Sequence, residues 1–337
     1  MPSPAPNWRA LLLRLSAWVI LSGATAGAWP ADDFKAAEEF YRRGDFAQAE
    51  ALFSRIPPGD RDYSTAQLRL GSIYYAMGRP ALAEKAFVEC LRHKESAEVY
   101  SLLAGAQFNQ KKFSEAYESV KRALRLDPKY PKAYTALGMI YTATNAWPDA
   151  KAAYDQALRL NPRDADTWFM LGRALYLRNE FAAGREAFET VLRLDPQQVR
   201  AYENLARTLD LLNDPAAAEK AFREGARVNQ LRKHPEARLY ISYGTFLSKA
   251  GRAEESLAQF CEAVQVAPQD AEARFELANQ LARIQRWEEA AQEGELAARV
   301  DPGNPRVHFL LARIYTALGK PDLAAEQARV AAGGLQK

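Results

Sequence analysis

A period of 34 residues governs this chain. Aligning Leu124, Leu158 and Leu192 brings their neighbours into register, so that three segments end in Leu126-Asp127-Pro128, Leu160-Asn161-Pro162 and Leu194-Asp195-Pro196. Upstream, Ala104, Gly138 and Gly172 hold one position, and the aromatics Tyr100, Tyr134 and Trp168 hold another. Self-similarity at this spacing means that one supersecondary unit recurs, each copy burying its apolar face against the next. Length alone would divide 337 residues into two globular domains, but a repeat overrides that expectation.

Extending the register outward predicts units at about 30–63, 64–96, 97–130, 131–164, 165–198, 199–232, 237–270, 271–304 and 305–332. The sixth lacks a closing proline, and an insertion at Lys233 to Glu236 shifts the period by four residues. Each unit reads as two antiparallel helices. Gly71, Gly138, Gly172 and Gly244 let the paired helix come close, as do Ala49, Ala83, Ala116, Ala150, Ala218 and Ala290 on the second helix. Phe53, Phe87, Tyr154, Phe188, Phe222 and Phe260 are placed to fill the gap between neighbouring units. Proline lacks an N–H and disfavours helix in the residue before it, so it falls at the turns. Gly294 stands where an aromatic is expected, which predicts loose packing of the eighth unit on the ninth.

These units resemble the tetratricopeptide repeat (TPR), a helix–turn–helix of the same length. The resemblance implies an all-α fold, a right-handed α-solenoid of about eight to nine stacked units covering 29–337. Its first helices would line a concave groove.

Residues 1–28 differ from the rest. Arg9 and Arg14 precede an apolar run through Val19, Ile20 and Leu21, and small residues follow, including Ala24-Thr25-Ala26 and Ala26-Gly27-Ala28. This is the pattern of a secretory signal peptide, here with cleavage after Ala28 to leave Trp29 first. The run is about 15 residues, short of the roughly 20 needed to span a bilayer. Retention as an anchor is the alternative. No Cys stands near the cut to carry a lipid. The expected location is therefore exported, periplasmic or secreted, with no stable membrane span after cleavage.

Composition narrows the chemistry. A net charge of +3 does not favour nucleic acid, whose partners present a clustered basic face. Cys90 and Cys261 fall in distant units and read as two small buried apolar side chains, too far apart to bridge. His93, His234 and His308 are scattered, and no Cys-x-x-Cys, phosphate loop or nucleophile elbow appears. No metal or cofactor is implied, and the chain is not read as an enzyme.

The resemblance also implies which first-helix positions face the groove. These include Phe169, Arg173 and Tyr176 in the fifth unit, Asn204 and Arg207 in the sixth, Arg238 in the seventh, Asn279 in the eighth and Arg313 in the ninth. Arg and aromatic residues anchor interfaces. Phe169, Arg173, Tyr176, Asn204 and Arg207 are expected to form a peptide-binding patch, the arginines holding a carboxylate or backbone carbonyls and the aromatics taking an apolar side chain. Alternatively the arginines pair with Glu203 and Asp210. The Lys and Asn set of chaperone-binding members of the family does not line up here.

The leading expectation is a non-catalytic protein–protein interaction scaffold of the cell envelope, holding an extended peptide or partner protein. Partners in secretion, pilus or outer-membrane assembly fit such a chain. A glycan- or peptidoglycan-associated binding module is the second reading, with Phe169, Tyr176, Phe275 and Phe309 stacking on sugars. A regulatory subunit of an envelope enzyme is the third. Oligomeric state is left open.

Overall fold

The computed structural model describes residues 31–334; the leader 1–28 lies outside the described residues. Among the described residues the regular structure consists of eighteen α-helices. They form two compact units, one running up to Ala133 and one starting at Tyr134.

In the first unit the helices pair as α1 (Ala31–Arg43) with α2 (Phe46–Phe53), α3 (Tyr63–Ala76) with α4 (Pro80–His93), and α5 (Ala97–Asn109) with α6 (Phe113–Leu126). The second unit begins within α7 (Pro131–Ala143), which packs on α8 (Trp147–Leu160) through Gly138 and Tyr154. Then come α9 (Ala165–Leu177) with α10 (Phe181–Leu194), and α11 (Val199–Leu211) with α12 (Pro215–Gln230). Next is α13 (Ala237–Lys249) with α14 (Ala253–Val266). The last pairs are α15 (Ala271–Arg283) with α16 (Trp287–Val300) and α17 (Pro305–Ala317) with α18 (Pro321–Gly334). Within each unit a pair also packs on its successor, as in an α-solenoid.

One backbone device makes the turn inside a pair. A residue with positive φ follows the first helix at Gly44, Gly78, Lys111, Asn145, Asn179, Asn213, Gly251, Gln285 and Gly319. The next amide then reaches back to a carbonyl of the last turn, as Arg79 does to Tyr74 (2.8 Å) and Glu180 to Leu175 (2.9 Å). This is the Schellman arrangement, which satisfies carbonyls that the helix end leaves open. Between pairs a side chain spans the proline. The Oδ1 atoms of Asp127, Asn161 and Asp195 accept from the amides of Lys129 (2.9 Å), Arg163 (3.3 Å) and Gln197 (3.0 Å).

Inside a pair, glycine makes a notch for a ring. A Cβ on Gly138 would stand 2.7 Å from the Tyr154 ring, and one on Gly172 or Gly244 would stand 2.8 Å from Phe188 or Phe260. Gly71 faces Phe87 in the same way. The rings expected to fill the space between units thus seat first in their own pair. Phe222, in contrast, stacks across on Tyr243 of the next pair, with centroids 5.1 Å apart.

Two sequence expectations are corrected. The eighth unit is not loose, because Leu311 of α17 fills the space left by Gly294; a Cβ there would lie 2.8 Å from Leu311 Cδ2. Leu311, Val307 and Ile314 are all buried in one cluster with α15 and α16. Cys261 is exposed, and only Cys90 is the buried thiol expected of both. The insertion after the sixth unit is held by one side chain. There α12 runs for 16 residues, and fully buried Asn229 donates to the Glu236 carbonyl (2.9 Å) while accepting from the Glu236 amide (2.8 Å). A single side chain therefore closes the longer connection that the missing proline leaves.

Among the described residues no helix is long and apolar enough to cross a membrane, and no group of three His, Cys, Asp or Glu is placed to hold a metal ion.

Candidate partner-binding cleft

The first helices α9, α11, α13, α15 and α17 of the second unit are neighbours, so equivalent positions, 34 residues apart or 38 across the insertion, sit side by side. Against them lies a cleft of about 250 Å³ between α9, α11 and α13. Six of the expected residues line it: Phe169, Arg173, Tyr176, Asn204, Arg207 and Arg238, together with Leu177, Arg200 and Glu203. Asn279 and Arg313 lie elsewhere. Arg313 donates to Asn279 Oδ1 (3.1 Å), and Asn279 borders a separate cavity of about 160 Å³.

Glu203 is the hub of the cleft. Its side chain is 4% exposed and accepts from Ser242 Oγ (2.8 Å) and Arg238 Nε (3.2 Å), with Arg207 Nη1 at 3.8 Å. A buried carboxylate needs such partners, since desolvating it unpaired costs several kcal/mol, roughly. The internal pairing weighed above therefore exists, but only in part. Arg207 and Arg238 engage Glu203, whereas Asp210 takes no arginine within 4.0 Å among the described residues. Arg173 and Arg200 have no carboxylate within 4.0 Å among the described residues.

Guanidinium groups cover the aromatic faces. Arg200 lies over Phe169 (5.5 Å to the centroid) and Arg207 over Tyr176 (5.2 Å), also donating to the Tyr176 hydroxyl at 3.2 Å. Such contacts hold the cations in place as well as contributing about 0.5–1 kcal/mol each at exposed sites. Asn204 is turned back on its own helix, donating to the Arg200 carbonyl (2.7 Å). Burial in the cleft, then the neighbouring Arg200 and Arg238, pull the Arg173 guanidinium below its ordinary pKa.

Two roles given to aromatics are corrected by this geometry. Phe169 is 4% exposed and packs edge-on against Phe188 (5.9 Å), so it forms the floor of the cleft instead of an open face for an apolar side chain. Phe275 is likewise 8% exposed and capped by Arg306 at 4.4 Å. Of the rings considered for sugar stacking, Phe309 is open, at 51% exposure, and Tyr176 is half-buried.

A larger cavity of about 590 Å³ adjoins the cleft and shares Tyr176, Arg207 and Arg238 with it. Its apolar lining comes from Leu211, Phe222, Ile241 and Phe246, its polar lining from Asp210, Ser242, Thr245, Lys249, Asp270 and Glu272. Leu211, Phe222, Phe246 and Lys249 were not anticipated. The sequence offered Glu203 as a partner of the arginines, but nothing in it marked that carboxylate as buried.

Comparison with known proteins bears on the architecture. Residues 19–240, more than half of the chain, match the family model of the Cilia and flagella-associated protein 70 C-terminal domain, a TPR domain. Two further models, each described as tetratricopeptide repeat, match residues 247–305 and 305–329. The chain belongs to the tetratricopeptide-repeat family. Among solved structures, this TPR protein is similar to yeast Tom70, at 14% identity over 90% of this chain and 85% of that one, with a TM-score of 0.57. It is also similar to a chain of the APC/C hetero-tetramer Cut9-Hcn1, at 17% identity over 85% and 56% of the two chains, TM-score 0.56. Pseudomonas aeruginosa PilF matches at 20% identity over 64% and 97%, TM-score 0.52. At these identities the likeness is one of fold. No curated protein matches the chain.

Proposed function

We propose that this TPR protein is a non-catalytic interaction scaffold that holds an extended segment of a partner protein along α9, α11 and α13. The observation that carries the reading is the run of two adjoining cavities, one cationic and one of mixed apolar and polar lining, joined through Tyr176, Arg207 and Arg238. Extended peptides suit such a surface, since successive side chains can enter neighbouring cavities while arginines hold carboxylates or backbone carbonyls. Replacing both Arg173 and Arg207 by alanine is expected to abolish capture of the partner in cross-linking pull-down with the chain as bait. Undiminished capture by the double variant refutes the assignment.

The reading includes export. Residues 1–28 carry the signal-peptide pattern, and the scaffold would act in the periplasm or outside the cell. N-terminal sequencing of the protein recovered from the envelope fraction should begin at Trp29. Recovery of the full-length chain from the cytosol alone would overturn this part.

A further inference from the structure

Elsewhere in the molecule several cations each meet a carboxylate from another helix. In the first unit Arg69 meets Glu38 (2.6 Å), Arg79 meets Glu50 (3.0 Å) and Lys112 meets Glu84 (2.7 Å). Farther along the second unit, Arg306 lies between Glu272 (3.3 Å) and Glu276 (3.4 Å). Between α9, α11 and α13, by contrast, Arg173, Arg200, Arg207 and Arg238 border one small cleft with Glu203 as its single carboxylate. Glu203 is committed to Arg238, Ser242 and Arg207. The charge left over is that of Arg173 and Arg200, which come from adjacent first helices and open on the same space. Like charges crowded in a concave site focus a field that an anion relieves.

We infer that this cleft receives an aspartate or glutamate side chain of the bound segment on Arg173 and Arg200, while an apolar side chain of the same segment enters the adjoining cavity of about 590 Å³. This rests on the groove reading above and gives the ligand a chemistry. Two guanidinium forks match a carboxylate better than ammonium groups would, because each can donate twice in one plane. The Arg200 guanidinium is steadied over Phe169, so little reorganisation is needed. The occupant is an acidic, apolar-containing protein segment, chosen on charge complementarity with the surplus arginines and on the four apolar side chains Leu211, Phe222, Ile241 and Phe246 within the mixed lining next door.

The test uses the full chain and a pair of labelled synthetic peptides of equal length. One has a phenylalanine flanked by aspartate and glutamate; the other carries asparagine and glutamine instead. Fluorescence anisotropy should show the acidic peptide binding roughly tenfold or more tightly, the scale of charge-assisted hydrogen bonds. The preference should shrink as salt rises and collapse in Arg173→Gln/Arg200→Gln. The Arg173→Lys/Arg200→Lys variant, which keeps the charge, should retain the salt dependence and guards against a folding artefact. Equal binding of the two peptides overturns the acidic assignment and leaves the groove reading standing. Binding of neither peptide also overturns it, and the groove reading then falls only if Arg173→Ala/Arg207→Ala leaves partner capture undiminished. Displacement of the acidic peptide by sulfate at equal molar concentration would mark a small-anion site and overturn the peptide assignment.

Discussion

Two glycines face each other across α9 and α10, and alanine should have opposite effects at the two. Gly184 is buried, but a Cβ there meets its nearest neighbours, the Gly172 carbonyl and the Tyr176 amide, at 3.6 and 3.7 Å, which is ordinary contact. Gly184→Ala should therefore keep the helix-propensity gain of about 1 kcal/mol and stabilise the pair. At Gly172 the same gain is opposed. The new Cβ would stand 2.8, 3.0 and 3.0 Å from Phe188 Cε1, Cδ1 and Cζ. Carbon atoms pack best at about 3.5–4.0 Å, so three contacts are too short at once. The ring cannot swing aside, since Phe188 has no exposed surface and is braced by Phe169. Overpacking of this kind costs about 1–3 kcal/mol. The net expectation for Gly172→Ala is destabilisation by about 1 kcal/mol, so the two variants should differ by about 2 kcal/mol. Because repeat arrays need not unfold in one step, the assay is amide hydrogen exchange at α9 and α10, supported by urea unfolding. Adding Phe188→Leu to Gly172→Ala should leave a smaller loss than the sum of the two single changes. A Gly172→Ala protein as stable as Gly184→Ala, or strict additivity with Phe188→Leu, would refute the notch.

Further expectations concern the clamp, an acid and the turns. Asn229→Ala leaves both backbone groups of Glu236 without their partner and should cost about 1–3 kcal/mol, read as faster exchange at the start of α13. Glu84 is desolvated, yet hydrogen bonds from Lys112 (2.7 Å), Gln110 (2.8 Å) and Gln107 (3.4 Å) prevail and hold its carboxyl below the usual value of 4.5. With the folded-state value depressed, its stabilisation is complete above that ordinary value and is lost as pH falls through the folded one. Glu84→Gln should therefore destabilise at neutral pH and lose its effect in strong acid, as chemical unfolding across pH can measure. Lys111 and Gln285 hold φ of 61° and 64°, where an L side chain is strained, so Lys111→Gly and Gln285→Gly should each raise stability by roughly 0.5–1 kcal/mol in thermal melts.

The helix pairs were legible because their punctuation repeats. Gly71, Gly138, Gly172 and Gly244 each answer a ring on the second helix, and Pro128, Pro162 and Pro196 each follow an Asp or Asn that spans the turn. What stayed hidden depends on single side chains acting across units. Asn229 looks like any polar residue of a helix until Glu236 comes back to it. The loss of a ring at Gly294 is made good by Leu311, a residue whose own unit gives no hint of that duty. At the cleft, period placed Arg173 and Arg207 on one wall. It did not tell where long guanidinium stems would lie, and so missed that Arg200 closes over Phe169 and that Glu203 engages only some of the cations.

The ring-in-notch contact has a consequence for how the chain finds its partners during folding. Gly71 with Phe87, Gly172 with Phe188 and Gly244 with Phe260 are chemically one lock with one key. A second helix would therefore seat almost as well in another pair's notch as in its own, and the contact itself does not tell self from neighbour. Selection falls to the tether: the short turn within a pair makes the local partner by far the quickest to reach. Lengthening such a turn, for example after Asn179, should leave the lock intact and yet open the way to exchanged helices between molecules, the failure to which repeat proteins are prone.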